Sequence, residues 1–221
     1  MPSVSQIYTD THRRLQAQFD TENLADVIEA AAVREALQPE QVAMIERQIL
    51  FFLSSVDEKG RPTVSYKGGA PGFVKVIDER TLMFPSYDGN GMFYSMGNLA
   101  ANPLVGLLFV DFQTPNRVRA QGSAKLITEG PQLSVYPGAD LVVQVDIEQA
   151  WVNCARYVHQ FQLAEQSPYV PEEDGSAPIA MWKRIEGMGA MLSQADQVLI
   201  EQAGTITAEE YAAHLEAGVV V

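Results

Sequence analysis

The hydrophobic rhythm of the chain changes near residue 49. Before that point apolar residues recur at helical spacing. Asp20 or Thr21 can cap a helix whose apolar face is Leu24, Val27, Ile28 and Ala31. Pro39 suits the first turn of a second helix, with Val42, Ile45 and Ile49 along one side. Residues 1–48 are therefore expected to form a helical extension packed on the main body. From Ile49 onward the segments are short and β-like. ILFFLSSV predicts a buried strand ending at the hairpin signal Asp57-Glu58-Lys59-Gly60. PTVSYKG follows as its partner, with Val64 and Tyr66 expected on opposite faces. FVKVI and TLMFP predict two more strands. SYDGNGM is a loop, and MFYSMGNLAANP a short helix ended by Asn102-Pro103. VGLLFVDF, RVRAQGSAKLI and LVVQVDIEQ return to strand.

Six or so strands at short spacing with one inserted helix argue for a small barrel over residues 49–187. A doubly wound parallel sheet would need a helix after nearly every strand, and that alternation is missing. Residues 167–178, with three prolines and a glycine, predict an exposed loop. Thr207 and Glu210 form a capping box for a last helix through about His214, in a tail spanning residues 188–221.

Composition narrows the function. With 28 acidic against 15 basic residues the net charge is −13, which disfavours nucleic acid and anionic membranes, both bound largely through Lys and Arg. A single cysteine, Cys154, and three scattered histidines offer neither an internal disulfide nor a metal site of the Cys or His type. The N-terminal residues show no apolar stretch behind their charges, and the longest apolar runs are too short to span a bilayer, so a cytoplasmic protein is expected.

Four clusters could carry chemistry. Ser65-Tyr66-Lys67-Gly68-Gly69 puts a positive charge beside bare backbone, which suits a phosphate as well as it suits an ordinary turn. Asp88-Gly89-Asn90-Gly91-Met92 precedes a helix, where free N–H groups can meet an anion, although taken by itself the cluster is better explained as a tight loop with an Asn cap. Arg117, Arg119 and Gln121 share one strand face, either a ligand surface or a solvated basic edge. Trp151 to His159 concentrates Asn153, Cys154, Arg156, Tyr157 and His159; a nucleophilic Cys–His pair lacks a third orienting group. The dinucleotide and P-loop glycine signatures are both absent.

In order, S-Y-K-G-G-x-P-G-F-V, L-x-F-P-S-Y-D-G-N-G-M, G-N-x-x-x-N-P, V-G-L-L-F-x-D-F, R-x-R-x-x-G and N-C-x-R-Y-V-H resemble a bacterial branch of flavin-nucleotide-binding proteins related to pyridoxamine 5'-phosphate oxidase. The resemblance covers roughly residues 12 to 185. It implies a mainly β fold with helical extensions, an FMN-binding split β-barrel, and a homodimer with FMN between the subunits. It places Ser65, Lys67, Gly68 and Gly69 near the phosphate or ribityl chain, and Asn90, Gly91, Met92 and Asn98 around the same pocket. Arg119 or Gln121 would face the flavin. Arg156, Tyr157, Trp182 and Lys183 would close the site, some of them from the partner chain. The family's oxidases carry Ser-Arg-Lys where this chain has Asn90-Gly91-Met92, so two phosphate-binding cations are missing. They also carry an Arg-x-His motif near the C-terminus that this chain lacks, which argues against oxidation of pyridoxamine phosphate.

Three functions follow from these residues. One is an FMN-dependent oxidoreductase acting on a small molecule, with Tyr157 or His159 as proton donor. Another is a non-catalytic flavin or haem module, with His159 as axial ligand. The third, an interaction protein, leaves the Lys-Gly-Gly and Asp-Gly-Asn-Gly loops unexplained.

Overall fold

The computed structural model describes residues 5–219; the outermost residues of both predicted terminal extensions, 1–4 and 220–221, lie outside the described residues. Three helices, α1 (Asp10–Gln18), α2 (Glu22–Ala32) and α3 (Pro39–Glu46), lead into strands β1 (Leu50–Val56), β2 (Pro62–Gly68), β3 (Lys75–Asp78) and β4 (Thr81–Tyr87). Helix α4 (Tyr94–Ala101) separates these from β5 (Leu104–Asp111), β6 (Asn116–Ile127) and β7 (Ala139–Asn153). A 3-10 turn at Met181–Arg184 is joined to helices α5 (Gln194–Ala203) and α6 (Ala208–Glu216), Arg184 donating to the Ala203 and Gly204 carbonyls, so the C-terminal tail as a structural unit is counted from Met181 and not from residue 188.

The strands form one antiparallel sheet in the order β2-β1-β5-β6-β7-β4-β3. Phe51 on β1 and Phe84 on β4 are four strands apart in that order. In a flat sheet they would be about 19 Å apart. Their ring centroids lie 4.9 Å apart, so the sheet is rolled. Phe109 on β5 and Phe73 join the same cluster, at 5.1 and 5.9 Å from Phe51. Phe51, Phe84 and Phe109 are wholly buried, each contributing about 1.5–3 kcal/mol by area alone. Aromatic packing across the rolled sheet is thus what closes it. The strands β2 and β3, neighbours in sequence, sit at opposite ends of the order, and the barrel is split between them.

Several boundaries and faces differ from the sequence expectation. Val64 and Tyr66 lie on one face, not two, because strand side chains alternate with period two; both point outward and are 67% and 62% exposed. Strand β7 runs on through Trp151 to Asn153, so only Cys154–His159 of that cluster is loop. Its register against β6 shifts at Gly122, where an added Cβ would lie within 2.0 Å of the Asp146 carbonyl oxygen.

Helix α3 begins with Pro39 and buries Met44 and Ile45 in the core, while Ile49 lies beyond its end. The other two N-terminal helices behave differently. Neither α1 nor α2 buries a residue, and Leu24, Val27 and Ile28 are more than half exposed. The hairpin is tied down by backbone and polar contacts instead. Arg13 pairs with Asp26 at 2.7 Å, Arg34 bridges to Ala150 in both directions, and Gln149 donates to the Gln6 carbonyl at 2.9 Å. In the tail, Thr207 and Glu210 form the expected capping box, with hydrogen bonds of 3.1 and 2.7 Å, and α6 continues to Glu216. No helix among the described residues is long and apolar enough to cross a membrane, and no group of metal-ligating side chains gathers there.

Candidate functional site

A groove of about 370 Å³ opens where β2, the end of β4, the start of β7 and the N-terminus of α4 meet. The alternation that turns Val64 and Tyr66 outward turns Ser65 and Lys67 toward α4. Ser65 Oγ and Ser95 Oγ share a 2.6 Å hydrogen bond that fixes strand to helix. Lys67 lines the groove, and burial lowers its pKa without any opposing ion pair or hydrogen bond among the described residues. A half-buried ammonium with no partner favours an anionic ligand, which would restore the interactions burial removed.

Residues 88–93 form the opposite lip. Asn90 Oδ1 accepts from the Met92 backbone N–H at 3.1 Å, and Gly91 takes φ +72, which glycine tolerates at little cost. Helix α4 then opens into the groove with its first N–H groups free of intrahelical partners. Acidic groups are present too. Asp140 lines the groove, its pKa raised by burial and by the Asp88 charge. Against these carboxylates, Lys67 and the backbone N–H groups are the groove's groups that could meet an anion.

Of the predicted residues, Ser65, Lys67, Asn90, Gly91 and Met92 meet in this groove. The others do not. Gly68 and Gly69 lie outside it; Gly69 is buried, and a Cβ there would strike the Phe73 ring at 2.6 Å, so its bareness makes room for the aromatic core. Asn98 is buried, donating from Nδ2 to Ser55 Oγ at 3.2 Å, and fastens α4 to β1. Arg119 and Gln121 face a second groove, about 520 Å³, on the outer face of the sheet with Phe52, Val64, Leu104 and Trp151. Arg117 shares their strand face but lies outside the groove, donating to the Cys154 carbonyl at 2.6 Å. Arg156, Tyr157 and His159 stand on an exposed loop, with Tyr157 88% exposed and at φ +69.

Trp182 and Lys183 sit behind the glycine-rich loop. Trp182 lines a cavity of about 650 Å³ with Tyr87, Asn90 and Tyr169. Lys183 is buried, and its Nζ donates to Asp88 Oδ2 and, at 2.8 Å, to Asp196 Oδ1. Burial would lower the Lys183 pKa, but the hydrogen bonds from Nζ to Asp196 and Asp88 outweigh it and the pKa rises. Asp196 was absent from the sequence reading. Ser193-x-x-Asp196 is legible in sequence only as a helix start, because the side chain that Asp196 answers arrives through tertiary contact.

A split β-barrel with a groove at its seam, lined by Lys67 and the start of α4, is the class that fold and site define. Residues 37–154 match the family model for pyridoxamine 5'-phosphate oxidase, and the chain belongs to that family. The match contains the whole Lys67 groove and stops short of the tail. A search of curated proteins found no match. Among solved structures, HupZ from Group A Streptococcus is 19% identical with a TM-score of 0.45, covering 57% of this chain and 99% of its own. A candidate pyridoxamine 5'-phosphate oxidase from Lactobacillus delbrueckii is 22% identical with a TM-score of 0.44, covering 53% and 95%. General Stress Protein 26 from Bacillus anthracis is 12% identical with a TM-score of 0.37, covering 51% and 91%.

Proposed function

We propose that this protein is a cytoplasmic homodimer that binds FMN in the Lys67 groove and acts as a flavin-dependent oxidoreductase on a small molecule other than pyridoxamine phosphate. The observation that carries the reading is the unpaired, half-buried Lys67 beside the free N–H groups of α4. Together they suit a phosphate monoester, with Ser65, Ser95 and Asn90 as hydrogen-bonding groups for a polyol chain. The missing Ser-Arg-Lys cations would be replaced in part by that helix terminus.

Dimerisation is inferred from what one chain leaves incomplete. Arg119 and Gln121 sit on an outer face whose Val64 and Leu104 are 67% and 57% exposed. A second copy seated there would cover that apolar surface and bring polar residues of its own outer face or exposed loop to the groove. Bound flavin would accept and return a hydride equivalent. The chain would hold its phosphate, orient its ring and exclude water. Arg156, Tyr157 and His159 fit this scheme only as residues acting on the partner's groove, where Tyr157 or His159 would hold a proton for the substrate.

The test is an absorbance spectrum of the purified protein, then FMN titration of any colourless fraction followed by fluorescence quenching. Stoichiometric binding with the twin flavin bands is expected. Absence of FMN binding at high concentration rejects the reading, and a Soret band would redirect it to haem.

A further inference from the structure

The glycine-rich lip of the groove has few ties to the rest of the molecule. From Asp88 to Tyr94, the only side-chain hydrogen bond among the described residues that leaves the segment is the one between Asp88 and Lys183. At the far end, Ser95 is bonded to Ser65. The lip is thus fastened once at each end, and one fastening belongs to the C-terminal tail.

That fastening is built with care for burial. The Lys183 side chain is 4% exposed, which is tolerable only because two carboxylates meet it. Asp196, 13% exposed, is itself held by Ser193, whose Oγ donates to it at 2.9 Å and caps α5 through the Asp196 N–H. Asp88 is 66% exposed and could be solvated elsewhere. The rigid half of the triad therefore lies in the tail, and the half that can leave lies in the lip. Lys183, Ser193 and Asp196 all fall outside residues 37–154, the part of the chain that matches the family model.

We propose that the C-terminal tail, through Lys183, positions the Asp88–Met92 lip of the Lys67 groove, so that ligand affinity in the barrel is set in part by a residue outside it. The proposal rests on the flavin reading for the identity of the ligand but not for the bracing itself. Lys183 touches no ligand in this scheme. It raises the fraction of molecules whose lip is already in the binding geometry, and apparent affinity scales with that fraction.

The experiment compares full-length Lys183→Met with wild type and with Lys125→Met, an exposed strand lysine away from the groove. Hydrogen exchange of ligand-free protein and FMN titration are both measured. Lys183→Met is expected to speed exchange across residues 88–94 and to weaken FMN binding roughly tenfold. Lys125→Met should leave both unchanged. Asp196→Asn, which keeps the volume and one acceptor, should show a smaller change of the same kind and serves if Lys183→Met fails to fold. Faster exchange confined to residues 181–203, with the lip and FMN affinity unaltered, would mean that Lys183 only anchors the tail and would overturn the proposal. If wild type binds no FMN the flavin reading fails, and exchange in the lip still decides the brace.

Discussion

Replacing Lys67 with Met should have opposite effects on ligand binding and on folding. In the free protein the ammonium is half-buried and unpaired, and burial lowers its pKa below the ordinary 10.5. The unfolded chain then binds more protons than the folded one, so stability rises with pH from the lowered value to about 10.5. At neutral pH, below both values, the full penalty is present. Lys67→Met removes it and should leave the melting temperature unchanged or raised, and should flatten that alkaline rise. With FMN bound, the same ammonium would make a charge-assisted hydrogen bond to phosphate, worth about 1.5–3 kcal/mol. Its loss should weaken FMN binding roughly 10- to 150-fold. Riboflavin, which has no phosphate, should bind the variant as it binds wild type. In wild type, FMN affinity should fall as pH rises through the lowered Lys67 pKa, earlier than an ordinary lysine would allow. Fluorescence-quenching titrations with both ligands and thermal melts decide the matter. Equal losses for FMN and riboflavin, or no loss for either, would refute the assignment of Lys67 to the phosphate.

The remaining predictions concern assembly, backbone fit and the tail. Val64→Glu, on the outer face where Val64 is 67% exposed, should leave the monomer folded but shift the proposed homodimer to monomer in sedimentation equilibrium; a monomeric wild type would refute the dimer, and a dimer unchanged in the variant would place the interface elsewhere. Gly122→Ala forces a Cβ toward a backbone oxygen that cannot easily retreat and should cost about 3 kcal/mol or more in urea unfolding; a loss under about 1 kcal/mol would show that β7 yields. The tail should undock at both pH extremes. For Asp196, burial would raise the pKa, but hydrogen bonds from Lys183 and Ser193 outweigh it and the pKa falls below 3.8, so its contribution is lost as pH drops through that lowered value. Lys183 has a raised pKa, so its contribution is lost as pH climbs past 10.5. Trp182 fluorescence in a Trp151→Phe background reports this; a signal that tracks only global unfolding would contradict it.

Much of the barrel was legible because its signals are local. ILFFLSSV, the Asp57–Gly60 turn and VGLLFVDF carry strand and turn chemistry within a few residues, and β1 and β5 follow them closely. Ser65, Lys67 and Asn90–Met92 were also readable, since a lysine beside glycines and a glycine-rich helix entrance have a physical meaning wherever they occur. Long-range partners were not readable. The space at Gly69 is demanded by Phe73 and a rolled sheet, so a glycine that looks made for a ligand serves the core. Asn98 looks like pocket chemistry until Ser55 is brought beside it. Leu24, Val27 and Ile28 have the spacing of a buried face, yet spacing does not say which surface, if any, receives it. The hairpin is held by Arg34, Gln149 and Arg13 instead. Lys183 in P-I-A-M-W-K-R suggested closure of the site from sequence. Its two carboxylates, at positions 88 and 196, come together only in the folded chain.

The split between β2 and β3 gives the groove a mechanical character. Among the described residues strand β2 is paired along β1 alone, and its other edge, beside the groove, carries no ladder. Across that gap the recorded link is the Ser65–Ser95 hydrogen bond. Widening the groove therefore breaks one hydroxyl contact and some side-chain packing, while every strand pairing in the sheet stays intact. A closed barrel would have to sacrifice part of a ladder to admit a broader molecule. Here the cleft is a slot with one adjustable jaw, the free edge of β2, set against a fixed one, since α4 carries Met96 and Leu99 in the core with Phe51, Phe84 and Phe109.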